Sequence, residues 1–479
     1  MMKFFAIFAV LYPALLAAQP IRLHPRNPHY FLYRGKAVAL VTSGEHYGSV
    51  MNLDFDYRRY LSTLAADGLN YTRIFGGSYR EVPGKSFGIQ RNNLAPTDSA
   101  FLAPWARDAS GKFDLDRWDP RFFQRLRDFL AEADRRGIVV EITLFSSHYA
   151  EMQWRVSALN AANNVNHTDA IDWKKLHTLE NGNLLTRQEQ YTRKLVREAN
   201  PFDNVIFEIQ NEPWSDRPKL VDVINPYLQP PARDTYPNSV EIADENSIAW
   251  QARVMSWIRS EESSLPGKHM VAQNYCNFRF PVQQLPADVD LVNFHYAYPE
   301  AVLLNYGIGK ALGYDETGFL GRGDDAYRRQ AWNFMLSGGS AFDGLDYSFS
   351  VGHEDGTDTA PNGPGGGSPA LRHQLRTLVE FLQKLPLVEM APDAQTAKHA
   401  AGAYARVISK PGSLYAIYID ADGPTELTLN LPSGTYSGEW TNAFTGQVQA
   451  LANFSHKGGD TVLHTPRFEN GMALRLTRK

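Results

Sequence analysis

The chain has 479 residues, 43% of them hydrophobic and 12% aromatic, enough to bury a large core in two or three domains. A formal net charge of −4 gives no electrostatic footprint for nucleic acid or an anionic membrane, so a neutral or weakly charged ligand fits better. The single cysteine, Cys276, excludes an intrachain disulfide and reads as a buried structural thiol.

Residues 1–20 read as a secretory signal. Lys3 supplies the positive start, residues 4–16 form an uncharged apolar run too short to span a bilayer, and Ala17-Ala18 offers a small-residue cleavage site. No other stretch is long and apolar enough for stable membrane insertion, which makes a secreted or periplasmic protein the expectation. Residues 30–33 and 37–41 then flank Arg34-Gly35-Lys36 as a hairpin leading into a first strand. That strand ends in Thr42-Ser43-Gly44-Glu45-His46-Tyr47. A helical period at 55–66 is stopped by Asp67-Gly68, and the strand 70–75 carries Arg73.

A long polar loop, 76–119, includes Trp105 and Trp118 and precedes a helix at 120–136 and a strand at 138–144. The strand opens onto Phe145-Ser146-Ser147-His148-Tyr149. Another long loop, with Trp154 and Trp173, leads to a helix at 186–198 and to the strand 205–209. After Ile209 the chemistry changes abruptly to Gln210, Asn211 and Glu212, and Pro213 stops the strand by removing a ladder donor. The cycle continues with a helix at 247–260, strands at 269–273, 290–295 and 311–315, a helix at 325–337, a strand at 344–348 and a helix at 370–385. Strands alternating with helices in this way predict a (β/α)8 barrel. A Rossmann-like sheet is disfavoured because no Gly-rich turn follows the first strand, and the Gly-rich segment 352–369 reads as a loop over the barrel mouth.

Beyond the barrel the pattern changes to short alternating strands: 403–407, 414–419, 425–431, 436–442, 461–463 and 472–476. The predicted organisation is therefore a signal at 1–20, a barrel at 21–390 and a small β-sandwich at 391–479 packed against it without a linker.

Strand tips are where parallel α/β proteins keep their chemistry, and here two end in carboxylates, Glu212 and Glu316. Such a pair suits acid/base-plus-nucleophile cleavage of a glycosidic bond, with the two groups about 5–5.5 Å apart in the retaining mode. Glu212 takes the acid/base role, its pKa expected to rise through burial and the neighbouring charge of Glu316. Glu316 takes the nucleophile role, with Asp315 its local competitor on the opposite side of the strand, and needs its anion stabilised by Arg73 or the Tyr296 hydroxyl. Asn211 would face the sugar 2-hydroxyl. Glu45 and His46 at the first tip are further candidates, and Trp214 is preferred over Trp105 and Trp154 as a sugar-stacking ring. There is no His-Glu-x-x-His stretch, no cysteine cluster and no Gly-x-Ser-x-Gly elbow, and Asp355–Asp358 and Asp420–Asp422 lack a full calcium loop. No metal and no cofactor are expected.

The chain resembles the retaining glycoside hydrolases of clan A, nearest to glycoside hydrolase family 5 and cellulase-like enzymes. The resemblance rests on Asn211-Glu212-Pro213 ending the fourth strand and Glu316 ending the seventh. It implies an active-site arginine at Arg73, a histidine at His148, and a His/Tyr pair at His295 with Tyr296, Tyr298 being the alternative. The family's tryptophan after strand eight is absent; Asp346-Tyr347-Ser348-Phe349-Ser350 stands there, with Tyr347 or Phe349 as substitutes. The terminal sandwich is similar to the collagen-binding-type domain of some bacterial hydrolases. A poly- or oligosaccharide partner follows. The alternatives are a non-hydrolytic carbohydrate-binding protein and a transglycosylase using the same pair.

Overall fold

In the structure, a computed structural model that describes residues 19–359 and 363–479, eight parallel strands make the barrel. They are β1 (Leu40–Val41), β2 (Tyr71–Phe75), β3 (Val139–Ser146), β4 (Val205–Asn211), β5 (Met270–Asn277), β6 (Leu291–His295), β7 (Ala311–Glu316) and β8 (Ala341–Phe342). Every residue of β2 to β7 is buried, as expected for strands covered on both faces. Consecutive strands pair in parallel from β2 round to β8 and back to β1. The last seam, between β1 and β2, is closed through Asn70, whose N–H donates to Val41 O at 3.4 Å and whose side chain adds two further bonds. Asn70 Oδ1 accepts from Val41 N at 2.9 Å and Asn70 Nδ2 donates to Ala39 O at 2.9 Å. The expected signal at 1–20 lies almost wholly outside the described residues.

Besides the single turn Glu151–Trp154, the α-helices are α1 (Tyr57–Ala66), α2 (Pro120–Arg136), α3 (Leu184–Ala199), α4 (Glu245–Glu262), α5 (Glu300–Asn305), α6 (Asp324–Met335) and α7 (Pro369–Gln383). α2 shows why these segments are helical and where they stop. Asp119 caps it by accepting from Arg121 N, Pro120 occupies the first turn, and Gly137 at φ 75° ends it in the left-handed region. Its inward face is Phe122, Phe123, Leu126, Phe129, Leu130 and Ala133. At the N-terminal end of the barrel the antiparallel strands Arg22–His24, Asn27–Tyr33 and Lys36–Val38 form a lid. Ile21 and Phe31 pack there in one apolar cluster with the opening residues of the barrel strands, Tyr71, Val139, Met270, Leu291, Ala311 and Ala341 among them.

Two differences from the sequence reading bear on the barrel mouth. The eighth strand is not 344–348 but the two residues Ala341–Phe342, paired with Gly313 of β7 and Leu40 of β1. The chain bends after Phe342 because the polar residues that follow turn to specific partners. Gly44 N donates to Asp343 Oδ1 at 3.2 Å, and Asp346 Oδ2 accepts from Ser43 Oγ at 3.0 Å and Arg372 Nη1 at 2.7 Å. The second difference is a hairpin, Pro218–Val223 with Ser239–Ala243, between β4 and α4. It joins the barrel through the pairing of Ile242 with Cys276 of β5.

After α7 the chain forms two antiparallel sheets, one of six strands and one of three. They enclose a core that includes Val407, Ile417, Leu427, Leu429, Trp440 and Leu474. Val448–His456, a strand absent from the sequence reading, edges the larger sheet. The sandwich docks on α6: the Trp332 and Tyr418 rings stack at 5.3 Å, Arg329 Nη1 meets Asp420 Oδ1 at 2.5 Å, and Asn333 Nδ2 donates to Asp420 Oδ2 at 2.7 Å.

Candidate active site

Glu212, Phe278 and Tyr296 stand one residue past the ends of β4, β5 and β6, with φ of 46°, 60° and 50°. A non-glycine residue in this region costs about 1–3 kcal/mol and persists only where its surroundings over-determine it. At Glu212 they do. Its N–H donates to Asn274 Oδ1 at 2.9 Å, and its carbonyl accepts from Ser147 Oγ at 2.7 Å. The turn breaks the strand's alternation and throws the Glu212 carboxylate into the barrel mouth.

Glu316 ends β7 on the other side of the same space. One carboxylate oxygen from Glu212, one from Glu316 and a ring nitrogen of His295 all lie within 4.8 Å of one another. Glu316 accepts two hydrogen bonds, from Arg73 Nη1 at 3.2 Å and from the Tyr296 hydroxyl at 2.9 Å. Arg73 is completely buried and also donates to Glu208 Oε2 through Nε at 3.0 Å and to Asn211 Oδ1 through Nη2 at 2.8 Å. The Tyr47 ring lies 4.7 Å from the guanidinium. Asn211 in turn donates to the Tyr149 hydroxyl at 2.6 Å.

His295 sits between the acids, with Nδ1 3.0 Å from Glu212 Oε1 and 3.8 Å from Glu316 Oε2, and Nε2 3.3 Å from Asp315 Oδ1. Burial opposes its charge, but Asp315, Glu316 and Glu212 together hold its pKa well above the ordinary histidine value. This imidazolium reverses the expected electrostatics of the acid pair. Burial pushes Glu212 up, yet the hydrogen bond and charge of His295 outweigh it, and the Glu212 pKa lies below the usual value. Glu316 is pushed up by burial, with His295 opposing and Glu212 adding to the rise, and ends above it. The sequence reading had Glu212 raised; the correction is due to His295, whose Nδ1 faces Glu212 more closely than Glu316.

Beneath the pair the barrel interior is polar. Glu141, Glu208 and Asp315 bring oxygens within 4.8 Å of one another, an arrangement that suits a cation as the Glu212–His295–Glu316 set does. The Arg73 guanidinium already reaches into both sets, contacting Glu208, Asp315 at 3.5 Å and Glu316. The positive charge is therefore supplied by the chain. Asn293 Nδ2 donates to Glu141 Oε1 at 2.7 Å and Asn274 Nδ2 to Asp315 Oδ2 at 3.1 Å. Burial, countered by Arg73, leaves the Glu208 carboxyl at about 7.

A cavity of about 520 Å³ opens above the pair. Its walls come from the segments after β1, β2, β3, β4, β6 and β7, and include Tyr47, Tyr79, Tyr149, Trp214, Tyr236 and Phe319. Of the sequence-derived site residues, Asn211, Glu212, Trp214, His46, Tyr296 and Glu316 line it, and Arg73 and His295 lie directly behind. Others are placed elsewhere. Glu45 is buried and serves a turn, accepting from Ser49 N at 2.9 Å and Ser49 Oγ at 2.7 Å. His148 is buried between Tyr79, Trp154 and His177, where desolvation holds its pKa well below the ordinary value. Tyr347 is covered by the Gly-rich segment: a Cβ on Gly363 or Gly365 would lie 2.7 or 2.2 Å from its ring. Phe349 packs on Tyr60 and Arg372, Tyr298 stacks on Phe278, and Trp105 and Trp154 are core residues.

No family model matches the chain, and no curated protein matches it. Solved structures do. A glycoside hydrolase family 5 protein from Bacteroides vulgatus ATCC 8482 superposes with a TM-score of 0.63 at 11% identity, over 96% of this chain and 93% of the other. A second structure, described as a glycoside hydrolase, gives 0.59 at 10% identity over 96% and 97%. The likeness establishes the fold. It is a (β/α)8 barrel followed by antiparallel sheets, shared along nearly the whole chain. Sequence reasoning missed Tyr47, Tyr79, Glu81, Tyr149, Tyr236 and Phe319, which line the cavity from loops with no period of their own, and Glu241, which lines it from the inserted hairpin. Tyr47 and Tyr149 carried one usable signal, each lying within a polar cluster that directly follows a barrel strand.

Proposed function

We propose that the protein is an exported retaining glycoside hydrolase with Glu316 as nucleophile and Glu212 as acid/base. The observation that carries this reading is the approach of the two carboxylates to within 4.8 Å across an aromatic-walled cavity. Inverting chemistry needs about 6.5–9.5 Å between the groups to seat a water, and retaining chemistry about 5–5.5 Å. Glu316 attacks the anomeric carbon while Glu212 gives its proton to the leaving oxygen. A water activated by Glu212 then breaks the glycosyl ester. Arg73 and Tyr296 donate to Glu316 and so favour the anion that must attack. Asn211, fixed by Arg73 and Tyr149, is positioned to meet a sugar hydroxyl.

The pair must hold one proton between them, so its two titrations belong to the pair rather than to either residue. A sugar that covers the cavity face of Glu212 removes water from its anion, which moves the shared proton onto Glu212, where the leaving group needs it. Export is proposed on the apolar run at 4–16 behind Lys3.

The test is sugar release from β-linked glucans, mannans, xylans and aryl glycosides by wild type and Glu316→Ala side by side. Wild-type turnover that drops by about a thousandfold or more in the variant supports the reading. Equal turnover in both removes Glu316 from the chemistry.

A further inference from the structure

Acidic groups predominate on the cavity wall. Four carboxylates line it, Glu81, Glu212, Glu241 and Glu316, and among the described residues His46 is the lining side chain that can carry positive charge, with no lysine or arginine beside it. Three have partners that account for them. Glu81 meets His46 Nε2 at 3.4 Å and also accepts from Asn92, Glu212 is held by His295, and Glu316 by Arg73 and Tyr296. Glu241 does not. Its carboxylate accepts only the Ser239 hydroxyl, at 3.2 Å, and among the described residues no cationic side chain pairs with it.

The placement of Glu241 is specific. It stands on the inserted strand Ser239–Ala243, which is fastened to the barrel by the Ile242–Cys276 pairing. A further tie, in which Glu241 N donates to Asn277 Oδ1 at 2.9 Å, fixes this residue itself. Burial raises the Glu241 pKa, the Ser239 hydroxyl lowers it, and the nearby charge of Glu212 raises it again. The hairpin therefore holds a partly desolvated carboxylate on the Glu212 side of the cavity. Such a group gains most from a ligand that brings its own positive charge. Tyr236, on the same insertion, adds a ring face from which a cation is also attracted.

We propose that Glu241 is a specificity-determining residue that binds the ammonium group of an amino sugar, so that the substrate carries free amines rather than acetamides or carboxylates. The inference rests on the glycoside hydrolase reading and names the substrate class of that same cavity. Uronic acids and sulfated sugars are disfavoured by the same reasoning, because each would place an anion beside the Glu241 carboxylate, which has no cationic partner among the described residues.

The experiment separates binding from turnover. In a Glu316→Gln background, calorimetry compares a fully deacetylated glucosamine tetramer, its N-acetylated counterpart and the neutral glucose tetramer of the same linkage. The amine should bind about tenfold tighter at low salt, and Glu241→Gln should erase the preference. Glu241→Asp should keep part of it, which a merely structural role would not predict. Equal affinity for amine and neutral tetramers, or a preference that survives Glu241→Gln, overturns the proposal. Wild-type cleavage of neutral aryl glycosides without an amine preference would remove this inference and leave the hydrolase reading in place. A Glu241-dependent amine preference with no glycoside cleaved by wild type would do the reverse.

Discussion

Arg73 joins the floor of the barrel to its mouth: one guanidinium contacts Glu208, Asn211, Asp315 and Glu316 with no exposure of its own. Tyr296 completes the cradle of Glu316 from the neighbouring strand tip, and its effect can be isolated. Tyr296→Phe removes one donor to Glu316, a loss felt more by the anion than by its acid form. The Glu316 pKa, already above the ordinary value, should rise further. Because Glu316 is the last of the pair to lose its proton, the basic limb of kcat/KM should move to higher pH, and the plateau should fall about ten- to a hundredfold. An unmoved limb would show that the hydroxyl does not act on Glu316. Glu208 gives a second residue-scale test, in stability. Its carboxyl titrates at about 7 in the native protein against 4.5 when free, so the unfolded chain ionises first as pH rises. A raised carboxyl therefore contributes stability that is complete below pH 4.5 and is lost as pH climbs to 7. Glu208→Gln does not titrate. Between those pH values its stability relative to wild type should improve by roughly 3 kcal/mol, read from denaturation curves at each pH. A constant difference would refute the shift. Both strand-tip glutamates and Arg73 were legible in the sequence because each sits in a strand pattern that local periodicity reveals. The position of His295 at the tip of the sixth strand was legible, but its consequence for the acid pair was not. It depends on which ring nitrogen faces which carboxylate across three strands.

At the scale of elements, the parts legible from sequence are those whose local chemistry agrees with their final environment. α2 is such a part, with Asp119, Pro120 and Gly137 marking both ends of an apolar face. Asp119→Ala and Gly137→Ala should each lower stability by about 1 kcal/mol, the first by losing a cap and the second by forcing a Cβ into the left-handed region. Because the nearest atom to a Gly137 Cβ is Arg34 Nη1 at 3.9 Å, that cost is one of backbone alone. If thermal unfolding showed no change for Gly137→Ala, the cap would be relaxing to another conformation. Elements that sequence reasoning missed lack this agreement. Val448–His456 has no buried residue at all, so no apolar alternation marks it, and its pairing with Gly434–Asn442 comes from the sheet. Pro218–Val223 is likewise mostly exposed and starts with a proline. The eighth strand is two residues long, too short for a period, and the apolar positions at 345, 347 and 349 mimic one while packing around a bend. The inserted hairpin brings Tyr236 and Glu241 to the cavity.

For the molecule as a whole, the question is whether barrel and sandwich stand as separate bodies. The barrel core runs without interruption into Ile408, Ala416, Tyr418 and Ala473 of the sandwich, which share one apolar cluster with the helices beneath. Trp332 is fully buried between Phe381 and Tyr418, and Arg329 holds Asp420 and Asp422 at the rim of the same contact. The exposed ion pairs add little, whereas a buried tryptophan carries several kcal/mol. Boundaries at 390 and 391 would thus divide the chain by architecture but not by stability. We expect calorimetry of the full chain to show one cooperative transition. Trp332→Ala should cost about 3–5 kcal/mol and split that transition in two, because it empties the contact through which the halves support each other. No residue of α6 lines the cavity, and its two glutamates are fixed by β4 and β7, so kcat at temperatures below the first transition should stay within about twofold of wild type. Two transitions already present in wild type would show that the sandwich folds on its own and that the shared cluster couples nothing.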